Sequence, residues 1–326
     1  VKQTMLGDGL TVPAQGLGAM GMSAFYGTTD ETEAMATLRH ALDIGVTMID
    51  TAEAYGPFEN EKLIARALGD RRDVAVLATK FATEFDDEGR PHGLNGRPEY
   101  ARRAAERSLR HLGTDVIDLF YLHRVDPAVP IEETVGGMAE LVRDGLVRHI
   151  GLSEVSAATI RRAHAVHPLA AVQSEFSLFS RDVLDNGVLD TLRQLGIGLV
   201  AFSPLGRGFL AGRITTVDDL EPGDARRTLP RFQPEAIAAN LRVVDQVQRI
   251  AAAKDATSAQ VALAWVRAQG AVAIPGTRYR SRLEENAAAV DLVLTGDDLA
   301  ALRRAVTETG VAGERDTEAG LARLHA

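Results

Sequence analysis

The sequence predicts an α/β fold, a (β/α)8 TIM barrel with an N-terminal β-hairpin capping its bottom. Three observations predict it. A helix–glycine–strand junction recurs along the chain. The apolar runs that follow are β-branched and nearly unbroken, as in parallel strands covered on both faces. Polar side chains of several chemical classes then sit just past the ends of these runs, where such a barrel builds its site.

The junctions run in order. LDIG leads into VTMID, RALG precedes VAVLATK, and RHLG precedes VIDLFYLH. VRDG precedes LVRHIGLS, RQLG leads into IGLVAFSPL, and RAQG leads into AVAIPGT. Their glycines, Gly45, Gly69, Gly113, Gly145, Gly196 and Gly270, suit the left-handed position past a helix C-terminus. GLGAM at 16–20 and AAVQSEFS at 170–177 complete eight strand–helix units. The Gly7-Asp8-Gly9 turn marks the hairpin. Helical periodicity shows in 101–112, where Ala101, Ala104, Ala105, Leu109 and Leu112 share a face. In 30–44, Asp30 and Glu33 make a capping-box-like start. Gly16, Gly18 and Gly21 spell G-x-G-x-x-G, but no long apolar strand precedes them, so the match reads as accidental. The unpatterned stretch 206–234 follows the seventh strand and should lie over the site as a lid or cofactor strap. No linker divides the chain, so one domain over 1–326 is expected.

Composition narrows the function classes. The chain has 326 residues, 45% of them apolar, enough to bury a large core. With no cysteine, disulfides, thiolate zinc sites and thiol catalysis are excluded, and no metal is expected. A net charge of −9 argues against a nucleic-acid surface. VKQTMLGDGLTVPAQG has no apolar run of signal-peptide length, and no run is long enough to span a membrane. A cytoplasmic protein, monomeric by default, is the expectation. The only lysines are Lys2, Lys62, Lys80 and Lys254, and of these Lys80 alone closes a predicted strand.

Asp50 and Tyr55 in MIDTAEAYG, Lys80 in VAVLATK and His123 in LFYLH follow three different strands. A phenol has an ordinary pKa near ~10. A lysine ammonium within roughly 4 Å favours the phenolate, and a carboxylate beyond keeps that lysine charged. A histidine can donate to a substrate carbonyl. Each residue alone has an ordinary structural reading as a cap, packing pair, solvated end or core histidine. Together they suit a reductase that moves a hydride from a nicotinamide and a proton from tyrosine.

GLGAMGMS, IDTAEAYG, ATK, YLHR, IGLSE, VQSEFS, AFSPLGRGFL and IPGTRYRSRLEEN occur in an order that resembles the aldo-keto reductases. SPLGRGFL and GLSE look most like the long-chain branch that includes pyridoxal- and plant alkaloid-type aldehyde reductases. The resemblance implies an NADP-dependent oxidoreductase acting on CH–OH donors, with Tyr55 as proton donor beside Asp50, Lys80 and His123. It implies Ser153 and Gln173 on the nicotinamide carboxamide and Phe202 stacked on the ring. Ser203, Pro204, Leu205, Gly206 and Arg207 would strap the pyrophosphate. Gly276, Thr277, Arg278 and Arg282 would lie at the 2′-phosphate, and Glu285 and Asn286 near the adenine.

Arg278, Arg280 and Arg282 also cluster in an otherwise acidic chain, next to a helix expected just after Thr277. Guanidinium forks and a helix N-terminus both favour phosphate, so NADPH is expected over NADH. Two positions depart from the family pattern: Tyr279 stands where a basic residue is usual, and Glu154 where asparagine is. Met20, Phe25, Tyr26, Phe58, Phe85, Arg124 and Phe232 are candidates for the substrate mouth, and Arg124 can either attract an anionic group or pair with Asp126. The substrate is expected to be a small carbonyl compound. Two other functions remain open at this point: a redox-sensing module that holds the nucleotide and turns over slowly, and a hydrolase using Asp50 with Glu53, Glu154 or Glu175.

Overall fold

The computed structural model describes residues 1–23, 25–86 and 88–322. The chain opens with an antiparallel hairpin of β1 (Gln3–Met5) and β2 (Thr11–Pro13). The turn is left-handed at Asp8 and Gly9, with φ of 54° and 75°. Leu6, Leu10 and Val12 are buried in one cluster with Met48, Ala170, Val200 and Val272. The Gly7 N–H donates to the Ala170 carbonyl at 2.7 Å. The hairpin therefore closes the N-terminal end of the strands, as the sequence predicts.

Next come β3 (Leu17–Gly18), β4 (Met48–Asp50) and β5 (Val76–Phe81). A second antiparallel ribbon, β6 (Thr83–Phe85) and β7 (Pro91–Leu94), extends past β5. The sequence reading lacks this ribbon because FDDEGRPHG carries no alternation to signal it. The barrel continues with β8 (Ile117–Leu122), β9 (Val147–Ser153), β10 (Ala171–Glu175), β11 (Gly198–Phe202) and β12 (Val272–Ala273). Eight strands lie parallel in the order β3-β4-β5-β8-β9-β10-β11-β12.

The sheet closes on itself through parallel bridges from Gln15 to Ala273 and from Gly18 to Gly276. A Cβ on Gly18 would stand 2.9 Å from the Ile274 carbonyl oxygen, and one on Gly16 3.0 Å from that of Met48. The match is not idle: these two glycines let the seam close. Gly18→Ala should destabilise the fold by roughly 1–3 kcal/mol through backbone displacement. A urea midpoint unchanged from wild type would show that the seam has slack.

Alternation along the strands decides which side chains enter the barrel. Asp50 pairs in register with Ala78, Lys80 with Tyr121, Tyr121 with Gly151, and Ser153 with Gln173. All share the inward parity. Met48, Ala78, Leu119, Tyr121, Ala171 and Val200 fill the lower interior above the hairpin. The opposite parity, with Ile49, Leu77, Phe120, Leu152 and Leu199, packs beneath the surrounding helices.

The helix Glu31–Asp43 starts at Asp30, whose carboxylate accepts from the Thr32 and Glu33 N–H groups. Glu33 does not complete a capping box; its carboxylate binds Arg280 at 2.9 Å. The helix Pro98–Leu112 buries the predicted alanine–leucine face and ends at Gly113 in a left-handed cap. Region 206–234 is ordered into 3-10 turns at Phe209–Ala211, Val217–Asp219, Ala225–Thr228 and Pro230–Phe232. It docks on the loop after β3: the Ala225 N–H donates to Phe25 O at 3.0 Å and the Thr28 N–H to Glu221 at 3.0 Å. Among the described residues, no helix is long and apolar enough to cross a membrane.

Candidate active site

Asp50 is the last residue of β4, Lys80 lies near the end of β5, and His123 follows β8. Tyr55 sits in the turn after β4, where its N–H donates to Ala52 O at 3.1 Å and its carbonyl accepts from Asn60 N–H at 3.2 Å. Buried Asn60 fixes this turn. Its side-chain oxygen accepts from Thr51, and its amide donates to Ala19 O at 2.9 Å and to Ser23 Oγ at 2.7 Å. Nothing in the local sequence distinguishes that asparagine from an ordinary helical one.

The structure brings the four predicted residues together. Lys80 Nζ donates to Asp50 Oδ1, to Thr51 O at 2.7 Å and to Tyr55 Oη at 3.3 Å. The rings of Tyr55 and His123 meet edge to face, with centroids 6.0 Å apart. Gln173 donates its amide to the second Asp50 oxygen at 2.8 Å. Asp50 is thus held by both neighbours and is aimed at Lys80.

The electrostatics refine the expectation of an acidified phenol. Burial raises the Tyr55 pKa above its ordinary value, and Lys80 offsets this only in part. The reason is that Asp50 already neutralises the ammonium. Burial pulls the Lys80 pKa down, but Asp50 and Tyr55 outweigh it, so the lysine stays charged. His123 is held well below its ordinary pKa by burial, with Arg124 and Lys80 adding to the effect. At neutral pH the site therefore offers a protonated phenol and a neutral imidazole, each with a proton to donate.

Behind the tyrosine turn lies a second buried group. Glu53 is fully buried, paired with Arg107, and accepts from the Ala82 N–H at 3.3 Å. Burial pushes its pKa up to about 7, with Arg107 offsetting part of the rise. The folded protein therefore binds this proton between pH 4.5 and about 7, whereas the unfolded chain has released it. The contribution to stability is full below that window and is lost as pH rises through it. Melting temperature should fall across the window in wild type and fall less in Glu53→Gln. Parallel curves for the two proteins would assign the pH dependence elsewhere.

Ser153 ends β9 and accepts from Arg124 Nη1 at 3.2 Å. Phe202 ends β11 at the interior face. In the loop after it, Gly206 N–H closes a turn onto Ser203 O at 2.9 Å and Gly208 N–H one onto Leu205 O at 3.0 Å. Pro204 is buried within it. Arg207 turns toward Glu175 and Asp316, 3.6 and 3.5 Å away, so any anion bound here would share it with those carboxylates. Glu154 is not free to meet an amide: it binds Arg315 at 2.7 Å and accepts from the Glu175 N–H at 2.6 Å. Arg315 comes from beyond the last long helix, so sequence distance hides it.

At the eighth strand, Gly276 forms the barrel seam and Thr277 Oγ1 accepts from the Tyr279 N–H at 3.1 Å. The following helix is Arg280–Ala288, two residues later than predicted, because Thr277 closes a turn first. Arg278 donates to Tyr26 O at 2.6 Å. Arg282 lies over the Tyr279 ring, 4.9 Å from its centroid, with no hydrogen-bonding or carboxylate partner among the described residues. Burial lowers its pKa, and Arg213 and Arg278 repel it further. Arg213, on the strap, carries no signal in the sequence; it pairs with Glu285 at 3.0 Å. Asn286 is buried beside them. This convergence of guanidiniums fits a phosphate, and the ring of Tyr279 supports Arg282 where a further cation would repel it.

The mouth candidates divide. Phe25 is exposed, while Tyr26 lies under Arg226, 4.9 Å from its ring centroid. Phe58 and Phe85 pack on each other at 5.0 Å, against Arg107 and His111. Phe232 is core, packed on Phe209 at 5.8 Å. The carboxylates proposed for hydrolysis are each engaged: Asp50 by Lys80, Glu53 by Arg107, Glu154 by Arg315, and Glu175 by Arg207, Arg231 and Arg315 at 3.5–3.9 Å.

Residues 15–307 match the model of the aldo/keto reductase family. The chain belongs to that family. Solved structures similar to it include a thermostable aldo-keto reductase in complex with the inhibitor epalrestat. That structure is 30% identical, with a TM-score of 0.76 over 94% of this chain and 100% of the other. The glycerol dehydrogenase of Gluconobacter oxydans is 26% identical, with a TM-score of 0.86 over 96% and 97%. An aldo/keto reductase of Klebsiella pneumoniae, in complex with NADP and acetate, is 30% identical, with a TM-score of 0.71 over 93% and 95%. As an aldo/keto reductase, the chain is an oxidoreductase of small carbonyl compounds on a (β/α)8 barrel.

Proposed function

We propose that this aldo/keto reductase uses NADPH to reduce an aldehyde or ketone to the alcohol, with Tyr55 as general acid. The observation that carries the reading is the 3.3 Å contact between Lys80 Nζ and Tyr55 Oη inside a barrel mouth that His123 also enters. Bound NADPH supplies the hydride. His123, neutral, donates to the carbonyl oxygen and fixes it beside Tyr55. Tyr55 passes its proton to that oxygen as negative charge develops there. Lys80 then stabilises the phenolate, and Asp50 keeps Lys80 charged and aimed. Ser153 would hold the carboxamide, and Phe202 would pack on the ring. Arg278, Arg282 and the strap's Arg213 would hold the 2′-phosphate. This reading takes the chain as one barrel domain, working in the cytoplasm and monomeric by default.

The direct test is consumption of NADPH and of NADH with an aromatic aldehyde, read by nicotinamide absorbance. Turnover with preference for NADPH is the expected result. Tight NADPH binding without turnover across a broad carbonyl panel would instead indicate a nucleotide-sensing module. Failure to bind either nucleotide would end the reading. Arg282→Gln should weaken NADPH binding roughly 10- to 100-fold, the effect of losing a charged hydrogen bond, while NADH binding stays constant. Equal weakening of both would remove Arg282 from the phosphate.

A further inference from the structure

Arg124 follows His123 directly and is partly buried at the barrel mouth. The sequence leaves two readings, an anion-attracting group or a rim residue paired with Asp126. The second fails: Asp126 accepts from the Gly96 N–H at 3.0 Å and the Ala128 N–H at 2.9 Å. Arg124 makes its hydrogen bonds through Nη1, to His123 O at 2.6 Å and Ser153 Oγ at 3.2 Å. Among the described residues, no carboxylate lies within ion-pair distance of it, and Nε and Nη2 are not among the sealed, unsatisfied atoms.

The free edge is the informative one. Nε and Nη2 form the side-on fork that matches a carboxylate. The same fork binds a carboxylate elsewhere in this protein, including Arg226 on Asp224 at 2.9 and 2.6 Å. Arg162 holds Glu132 through Nε and Nη2, both at 2.7 Å, and Arg280 holds Glu33 at 3.2 and 2.9 Å. An arginine stays charged when buried, so an open fork here is a cation without a counter-ion. Glu154 and Asp316 act on it from a distance, but each is engaged elsewhere, Glu154 by Arg315 and Asp316 3.5 Å from Arg207. Its Nη1 contacts to the His123 carbonyl and Ser153 Oγ set the guanidinium at the same barrel mouth as His123 and Tyr55.

We infer that Arg124 is a specificity residue whose Nε–Nη2 fork binds a carboxylate on the substrate, so that the preferred substrate is an oxo acid rather than a neutral aldehyde. The inference rests on the reductase reading above. Its test compares 3- and 4-formylbenzoate with their methyl esters, which keep similar size and carbonyl reactivity but lack the charge. Wild type should show kcat/KM at least about tenfold higher for one of the acids than for its ester, mostly through KM. Arg124→Gln should bring that acid-to-ester ratio close to one, and Arg124→Lys should restore part of it. A structural role, or one exercised through Ser153 on the cofactor, would lower acid and ester alike and leave the ratio standing, which overturns the inference. So does a wild-type ratio near one with both esters reduced. If neither acids nor esters are reduced, the reductase reading fails first and this inference fails with it. Retained NADPH binding and melting temperature in the variants exclude misfolding as the cause.

Discussion

Tyr55→Phe is expected to lower kcat for carbonyl reduction on the order of 10²–10⁴-fold, the usual contribution of a positioned general acid. The substitution removes one oxygen, and that oxygen accepts from Lys80 Nζ at 3.3 Å. The ring stays, so its edge contact with His123 at 6.0 Å is preserved. NADPH affinity and folding should therefore change little, and the loss should fall on the chemical step. The raised pKa of Tyr55 sharpens the expectation. A phenol that stays protonated throughout the neutral range supplies its proton at any working pH, and turnover should not rise simply because Tyr55 has ionised. Single-turnover rates with saturating nucleotide check this directly. A variant retaining more than about a tenth of wild-type rate would remove Tyr55 from the acid role.

Lys80→Met should damage both activity and stability. Lys80 and Asp50 are almost wholly buried and paired inside the barrel. Removing one partner of such a pair costs about 3–5 kcal/mol, because the other charge is left without compensation. Activity falls as well, since nothing then stabilises the phenolate after proton transfer. The two losses can be separated. The double variant Asp50→Asn with Lys80→Met removes both charges. Its new side-chain amide can still accept from Gln173, which now donates to Asp50 at 2.8 Å. Much of the lost stability should return, while turnover should not. If the double variant recovered turnover as well, the pair would be a structural element with no part in proton transfer. If neither single nor double variant lost stability, the pair would be more solvated than its burial indicates.

Much of this is legible in the chain itself. The eight strands are short in the structure, and each coincides with a run the sequence marks, β5 passing its run by one residue to Phe81, because strands covered on both faces are mostly apolar. Asp50, Lys80 and His123 are readable because each breaks such a run at its C-terminal end, where a polar residue in a buried barrel needs a reason. Arg278 and Arg282 stand out against an acidic composition. Local signals fail where the partner is distant in sequence. Gly16 and Gly18 look like a chance motif, since only the closed barrel puts Ile274 and Met48 against them. Glu33 looks like half of a capping box, but Arg280 offers it a charge. Phe232 reads as a mouth residue and is core, because aromatic residues do not reveal which side of a loop they occupy. Glu154 reads as a departure from the family pattern, and only the fold sets Arg315 on it.

By itself, then, the sequence determined the order of the barrel strands and helices and the chemical identity of the four groups at the mouth. These follow from periodicity, from turn residues and from what a side chain can donate or accept, all of which are properties of neighbours in the chain. Only the tertiary structure decided the remaining partners: Gln173 on Asp50, Arg315 on Glu154, and no carboxylate on Arg124 among the described residues. Charge pairing depends on distances of a few ångströms between segments 30 to 161 positions apart, and closure of the barrel sets those distances.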